Sequence, residues 1–249
     1  MICIDSAISR LLQAAFLVSL ISITGALAAD QQEISLQTRD GLTIKATLHR
    51  PDATGKLPAV VLIHQGGSDR TEWDAFVPKF LHQSYVTLAY DVRGHGHSDK
   101  VKSIGALFND PTQAPLDLQA VLHYLASLEF VDAERIAVVG SSVGANLACV
   151  AAGRRDYHIK TAVAISGKTT AVLNLAGKKE DDFKMASVFF ISSMENDGQR
   201  ATWALELYKK TADPRQIEIV EQSRAHGVGI FKDAPGLPNQ IIAWLQKTL

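Results

Sequence analysis

One pentapeptide has the residue types and spacing of an activated nucleophile. Gly140-Ser141-Ser142-Val143-Gly144 fits G-x-S-x-G with Ser142 at its centre. A serine at the tip of a sharp strand-to-helix turn needs glycines beside it, because side chains there would collide across the bend. The apolar run Arg135–Val139 leads into the motif, and a small-residue helical pattern starts at once behind it. The helix N-terminus then points at the serine, where a developing negative charge is stabilised. The chemistry this suits is nucleophilic attack on an acyl carbon, which also requires a base, usually histidine held by a carboxylate.

The elements that must position such a group follow from the hydrophobic pattern. Glu33–Arg39 and Thr43–Arg50 alternate polar and apolar residues about Asp40-Gly41, the signature of a hairpin. Ala59–Ile63, Val86–Tyr90, Thr161–Ile165, Ser187–Ser193 and Ile217–Val220 read as strands, and Arg135–Val139 joins them. Helical spacing marks Trp73–Leu81, Leu116–Leu125, the stretch from the elbow to about Arg155, Ala201–Tyr208 and Ile241–Leu249. Thr169–Lys179 is a short, weakly patterned segment. Strands alternating with helices after a hairpin predict an α/β fold, a mostly parallel doubly wound sheet with an N-terminal antiparallel hairpin. No internal repeat, low-complexity tract or linker interrupts it.

Ligands in such sheets bind at the carboxyl ends of the strands, which sorts the candidates by end. His158 and His226 follow Ser142 in the chain. His158 falls at the amino ends of the strands, whereas His226 follows the last strand at the carboxyl end and is the expected base. Asp181 and Asp182 precede their strand, again at the wrong end. Glu195 and Asp197 lie just past it in Met194-Glu195-Asn196-Asp197-Gly198. Asp197 is the preferred acid because Asp-Gly marks the loop, with Glu195 as the alternative. Oxyanion stabilisation needs backbone N–H donors: Val143 after the nucleophile, and Gly66, with Gln65 close behind, in the loop after Ile63-His64.

His64, His95 and His97 include a His-x-His pair, but no carboxylate or further histidine is spaced to complete a metal site, and none is expected. Cys149 falls inside the helix after Ser142, where a buried small thiol is expected.

In order, His64-Gln65-Gly66-Gly67, Asp91-x-Arg93-Gly94-His95-Gly96-x-Ser98, Gly140-x-Ser142-x-Gly144, Asp197 and Ala225-His226-Gly227 resemble the α/β-hydrolase superfamily. Within it, the chain is similar to the short, lidless members of the dienelactone-hydrolase group. The resemblance covers nearly all of Glu33–Leu249. It implies an α/β-hydrolase fold, a Ser142–Asp197–His226 triad and no cofactor. It also implies that Asp91–Ser98 shapes the fold near the site without performing chemistry. Dienelactone hydrolases proper use a cysteine nucleophile, so lactone chemistry does not carry over to Ser142. The interval from Ser166 to Met185, where the family inserts a cap, leaves no room for a large cap domain. The expected activity is serine hydrolysis of an ester, thioester or amide in a small acyl substrate or short peptide. Peptidase, acyltransferase and non-catalytic binding protein are the alternatives.

Composition sets the outer limits. The 249 residues, 47% hydrophobic and 20% charged, suit one α/β domain with a substantial core. A net charge of −1 gives no basis for a nucleic-acid partner or an anionic membrane surface. Residues 1–28 read as a secretory signal: Arg10, the apolar run Leu11–Ile23, then Ala26-Leu27-Ala28 at a cleavage site. Residues 29–249 form the single domain. Membrane contact is expected only through this segment if it stays uncleaved. With Cys3 in the leader, Cys149 stands alone and no intramolecular disulfide can form, which suits a periplasmic or secreted enzyme.

Overall fold

The apolar runs become the centre of one sheet. In the computed structural model, which describes residues 30–179 and 182–249, every residue of β3 (Leu57–Ile63), β4 (Val86–Tyr90) and β6 (Thr161–Ile165) is buried. Strands covered on both faces read as continuous apolar runs, and these do. They are flanked by β1 (Asp30–Gln37), β2 (Thr43–Arg50), β5 (Val131–Ser141), β7 (Met185–Ser193) and β8 (Thr211–Val220). The spatial order is β1-β2-β4-β3-β5-β6-β7-β8. β1 pairs antiparallel with β2, and β2 with β4; all other pairs are parallel. The leader read at 1–28, with Cys3, and Asp181 lie outside the described residues.

The helices are α1 (Val77–Leu81), α2 (Ala106–Asn109), α3 (Ala114–Ser127), α4 (Val143–Gly153), α5 (Thr169–Ala176), α6 (Gln199–Lys209), α7 (Ile230–Asp233) and α8 (Leu237–Thr248). Alternate strand residues sort them into two layers. Val61, Ile63 and Val138 point into a core with α3, α4, α5 and α6, through Leu118, Leu147, Val172 and Leu207. Val60, Leu62 and Val139 point the other way, onto Phe80 of α1, Phe231 of α7 and Trp244 of α8. Period-two strands between two helical layers make the doubly wound sandwich.

Among the strands, the starts of β8 and β5 move furthest from the sequence reading. β8 runs from Thr211 rather than Ile217. It is an edge strand paired only with β7, and its first half carries exposed polar residues that give no apolar run. β5 begins at Val131 rather than Arg135, because Val131 pairs with Leu57 across an irregular step in the register.

β3 lies between β4 and β5, so the chain leaves β3 toward one side of the sheet and β5 toward the other. Such a switch point opens a crevice at the carboxyl ends. Ile63 stands opposite Gly140 there, which places the loop after β3 beside the loop after β5.

Candidate active site

The turn from β5 into α4 is forced by its glycines. A Cβ on Gly140 would run into the carbonyl of Gly144, and one on Gly144 into the carbonyl of Ile63. Strand, turn and helix therefore pack with no side chain between them. Ser142 sits at the tip with φ 53° and ψ −104°, a left-handed backbone that a non-glycine residue adopts only under constraint. Its N–H donates to Ile165 O at 2.8 Å and its carbonyl accepts from Asn146 N–H at 3.1 Å. These bonds pin the tip to β6 and to α4.

His226 lies in the loop after β8. Its Nδ1 is 2.6 Å from Oε2 of Glu195, just past the end of β7. With Nδ1–H donating to that carboxylate, Nε2 keeps its lone pair for a proton acceptor's role. The loop is tied to its neighbours: Gly227 N–H donates to Ser166 Oγ at 3.1 Å and Val228 N–H to Ser141 Oγ at 3.2 Å. Ser193 Oγ donates to Ala225 O at 2.6 Å, which joins the end of β7 to the histidine's own loop. The same Glu195 oxygen faces Arg200 Nε at 3.4 Å, an ion pair without the alignment of a hydrogen bond.

Asp197 does not occupy the place expected of it. Its residue is exposed, its φ is 54°, and among the described residues no hydrogen bond or ion pair engages its side chain. Asn196, Asp197 and Gly198 all have positive φ, so Asp-Gly there serves the turn. Glu195 precedes that turn and has a side chain long enough to reach the imidazole.

The loop after β3 separates the two oxyanion candidates. Gln65 N–H already donates to both carboxylate oxygens of Glu72, at 3.2 and 3.3 Å, so Gln65 is withdrawn as a donor. The hydrogen bonds of the described loops and caps take neither the Gly66 nor the Val143 N–H. The two residues adjoin: a methyl group on Gly66 would lie 3.4 Å from Val143 Cγ2 and 4.0 Å from Phe108 Cζ. The resulting pair of N–H groups comes from the loop after β3 and the start of α4, and backbone N–H donors are what a developing oxyanion needs.

His64 is accounted for by the fold. Buried His64 has Nδ1 2.7 Å from Gln65 O and its Nε2 accepts from Val92 N–H at 3.0 Å. Both nitrogens are thus occupied, and burial holds the ring below the ordinary histidine range. The Asp91–Ser98 loop is built on buried carboxylate contacts: Asp91 accepts from Arg70 N–H and His97 N–H, each at 2.8 Å. Cys149 is fully buried in α4, and burial pushes its thiol up to about 12, which removes it as a nucleophile.

A strained serine at a βα turn, facing the switch-point crevice with a histidine–carboxylate pair at the same end of the sheet, defines a hydrolase-type α/β protein. Residues 58–189 match the family described as alpha/beta hydrolase fold, and the chain belongs to that family. The uncharacterized protein YcjY of Escherichia coli strain K12 is 30% identical over 129 residues, covering 50% of this chain and 41% of that protein. The matched stretch therefore spans less than half the length of the first curated relatives. Thiohydrolase apmlB of Arthrinium phaeospermum is 24% identical over 223 residues, 84% of this chain and 68% of that protein. The structure of an esterase from Pyrococcus furiosus superposes with TM-score 0.69 at 16% identity, covering 89% of this chain and 91% of that one. As in the sequence reading, the interval after β6 is short and holds α5, with no large cap among the described residues.

Proposed function

We propose that this chain is a serine hydrolase that works through an acyl-enzyme on Ser142. His226 Nε2 takes the hydroxyl proton as Oγ attacks the acyl carbon, and Glu195 holds the imidazole in the required tautomer and offsets its positive charge. The N–H groups of Gly66 and Val143 receive the negative charge that develops on the carbonyl oxygen. The leaving group takes the proton back from His226. Water, deprotonated by the same imidazole, then releases the acid and restores Ser142.

The observation that carries this reading is the pairing of His226 with Glu195 at 2.6 Å at the same end of the sheet as the strained Ser142. A short interval after β6 favours an open site and small acyl groups over a deep lipid tunnel. The similarity to a thiohydrolase over most of the chain brings thioesters into the candidate substrates beside oxygen esters. From the leader read at 1–28 we propose that the reaction takes place in the periplasm or outside the cell, which cell fractionation with an intact and a leader-deleted chain tests directly.

Covalent labelling with a fluorophosphonate probe, wild type against Ser142→Ala, tests the mechanism. Wild type should label and the variant should not; equal labelling of both would remove the assignment. A series of p-nitrophenyl esters of increasing chain length, run beside acyl thioesters and a peptide panel, then sorts the substrate class.

A further inference from the structure

Glu72 is a half-buried carboxyl that takes no part in the steps above, yet it lies beneath all of them. It belongs to the short turn Arg70–Trp73 that follows the β3 loop. Both its oxygens accept from the N–H of Gln65, the residue before the oxyanion donor Gly66. Ser141 Oγ donates to the side-chain Oε1 of the same Gln65 at 3.5 Å. Ser141 directly precedes the nucleophile, and its Oγ accepts from Val228 N–H at 3.2 Å, two residues beyond His226. Gly227 closes the group: a Cβ there would overlap Gln65 Oε1 and Ser141 Oγ together.

The β3 loop, the serine elbow and the histidine loop thus meet around Gln65, whose N–H Glu72 holds. We infer that Glu72 is a positioning residue, whose acceptor oxygens hold the Gln65–Gly66 peptide in the orientation that aims the Gly66 N–H at the developing oxyanion. This rests on the serine-hydrolase reading. Its physical basis is the direction of the peptide: with Gln65 N–H pulled toward Glu72, the next N–H along the loop is left free. A second link, from Gln65 Oε1 to Ser141 Oγ to Val228 N–H, ties that same residue to the elbow and to the histidine loop. The arrangement is costly on its own. Burial pushes the Glu72 carboxyl up to about 7, and the Gln65 N–H offsets only part of that penalty. Buried polar groups of this kind persist where they fix a particular geometry.

The experiment compares wild type, Glu72→Ala, Glu72→Gln and Ser142→Ala, with kcat and KM on an ester that the wild type hydrolyses. Affinity for a trifluoromethyl ketone, which forms an oxyanion on the enzyme, is measured beside affinity for the unreactive alcohol analogue. Loss of aim should lower kcat in Glu72→Ala by about 10–100-fold with KM within threefold. Ketone affinity should fall in parallel while alcohol affinity does not. Glu72→Gln, whose amide oxygen still accepts from Gln65 N–H, should recover to within about threefold of wild type. Unchanged kcat in Glu72→Ala, or equal loss of ketone and alcohol affinity, would overturn the inference. If Glu72→Ala does not fold, Glu72→Met, which keeps the side chain's bulk but offers Gln65 N–H no oxygen, carries the test beside Glu72→Gln. A kcat-specific loss in Glu72→Met with recovery in Glu72→Gln then supports the inference, and equal kcat in the two overturns it. Failure of the underlying reading has a different signature: Ser142→Ala would hydrolyse the ester as well as wild type.

Discussion

Oε2 of Glu195 serves an imidazole and a guanidinium at once: it stands 2.6 Å from Nδ1 of His226 and 3.4 Å from Nε of Arg200. The guanidinium restrains the carboxylate's rotation, and Arg200 itself donates to Ser166 O at 3.3 Å. The carboxylate is therefore set before substrate arrives. Orientation of a catalytic imidazole depends on such prior placement. Glu195→Gln should lower kcat by about 10²–10⁴-fold, because an amide can present its N–H to Nδ1 and select the wrong tautomer. Asp197→Asn should leave kcat and KM within about twofold of wild type. Steady-state kinetics on both variants decide between the two acids.

That choice shows where the sequence was informative and where it was not. The elbow was legible because its requirement is steric: only glycine fits at 140 and 144, on either side of a half-buried Ser142 at the tip. His226 was legible because it follows the last strand, so the end-of-sheet rule selects it. The acid was less so, since Glu195 and Asp197 are two residues apart on one loop and the sequence does not say which is consumed by the turn. Positive φ at Asn196, Asp197 and Gly198 settles their use as turn residues. Glu72 carried no signal at all. An acid in a polar turn looks solvated until the fold lays it under Gln65. The first half of β8 was missed for the opposite reason, an edge strand with too little apolar surface to announce itself.

Gly144→Ala tests the elbow's geometry. The added methyl would overlap the Ile63 carbonyl and lie 2.8 Å from Ile63 Cβ, with backbone on both sides and nothing flexible to yield. We expect a loss of at least about 2 kcal/mol in urea-unfolding free energy, the range of overpacked core sites. Activity of the folded fraction should also fall, because relief requires α4, and with it the Val143 N–H, to move off β3. Equilibrium unfolding and kcat measured on the same preparation give both numbers.

Arg93 is fully buried and holds two carboxylates, Asp117 at 2.8 Å and Asp40 at 2.7 Å. Asp117 is also fully buried, so Arg93→Ala leaves an uncompensated acid in the layer under α3. The expected destabilisation is about 3–5 kcal/mol, the usual result of removing one partner from a buried pair. Combining it with Asp117→Leu should restore part of that loss, since the orphaned charge is then gone. Ester hydrolysis by the folded fraction should change little. Urea titration of the two variants and the double variant gives the coupling.

Glu72 also leaves a mark on stability. Its carboxyl is raised to about 7 in the folded protein, chiefly by burial, with the nearby Asp69 carboxylate adding to the effect. An unfolded chain releases that proton near the ordinary glutamate value, about 4.3. Between these values the folded state holds more protons than the unfolded one, so its stability declines as pH rises. The contribution is complete below the unfolded value and is gone once pH passes the folded value. Glu72→Gln cannot ionise and removes this slope. The difference in unfolding free energy, variant minus wild type, should therefore increase from pH 5 to pH 8 and flatten above. Thermal or urea unfolding at several pH values measures it. A difference that stays constant across that interval would mean that the carboxyl ionises in the folded state as it does in the unfolded chain.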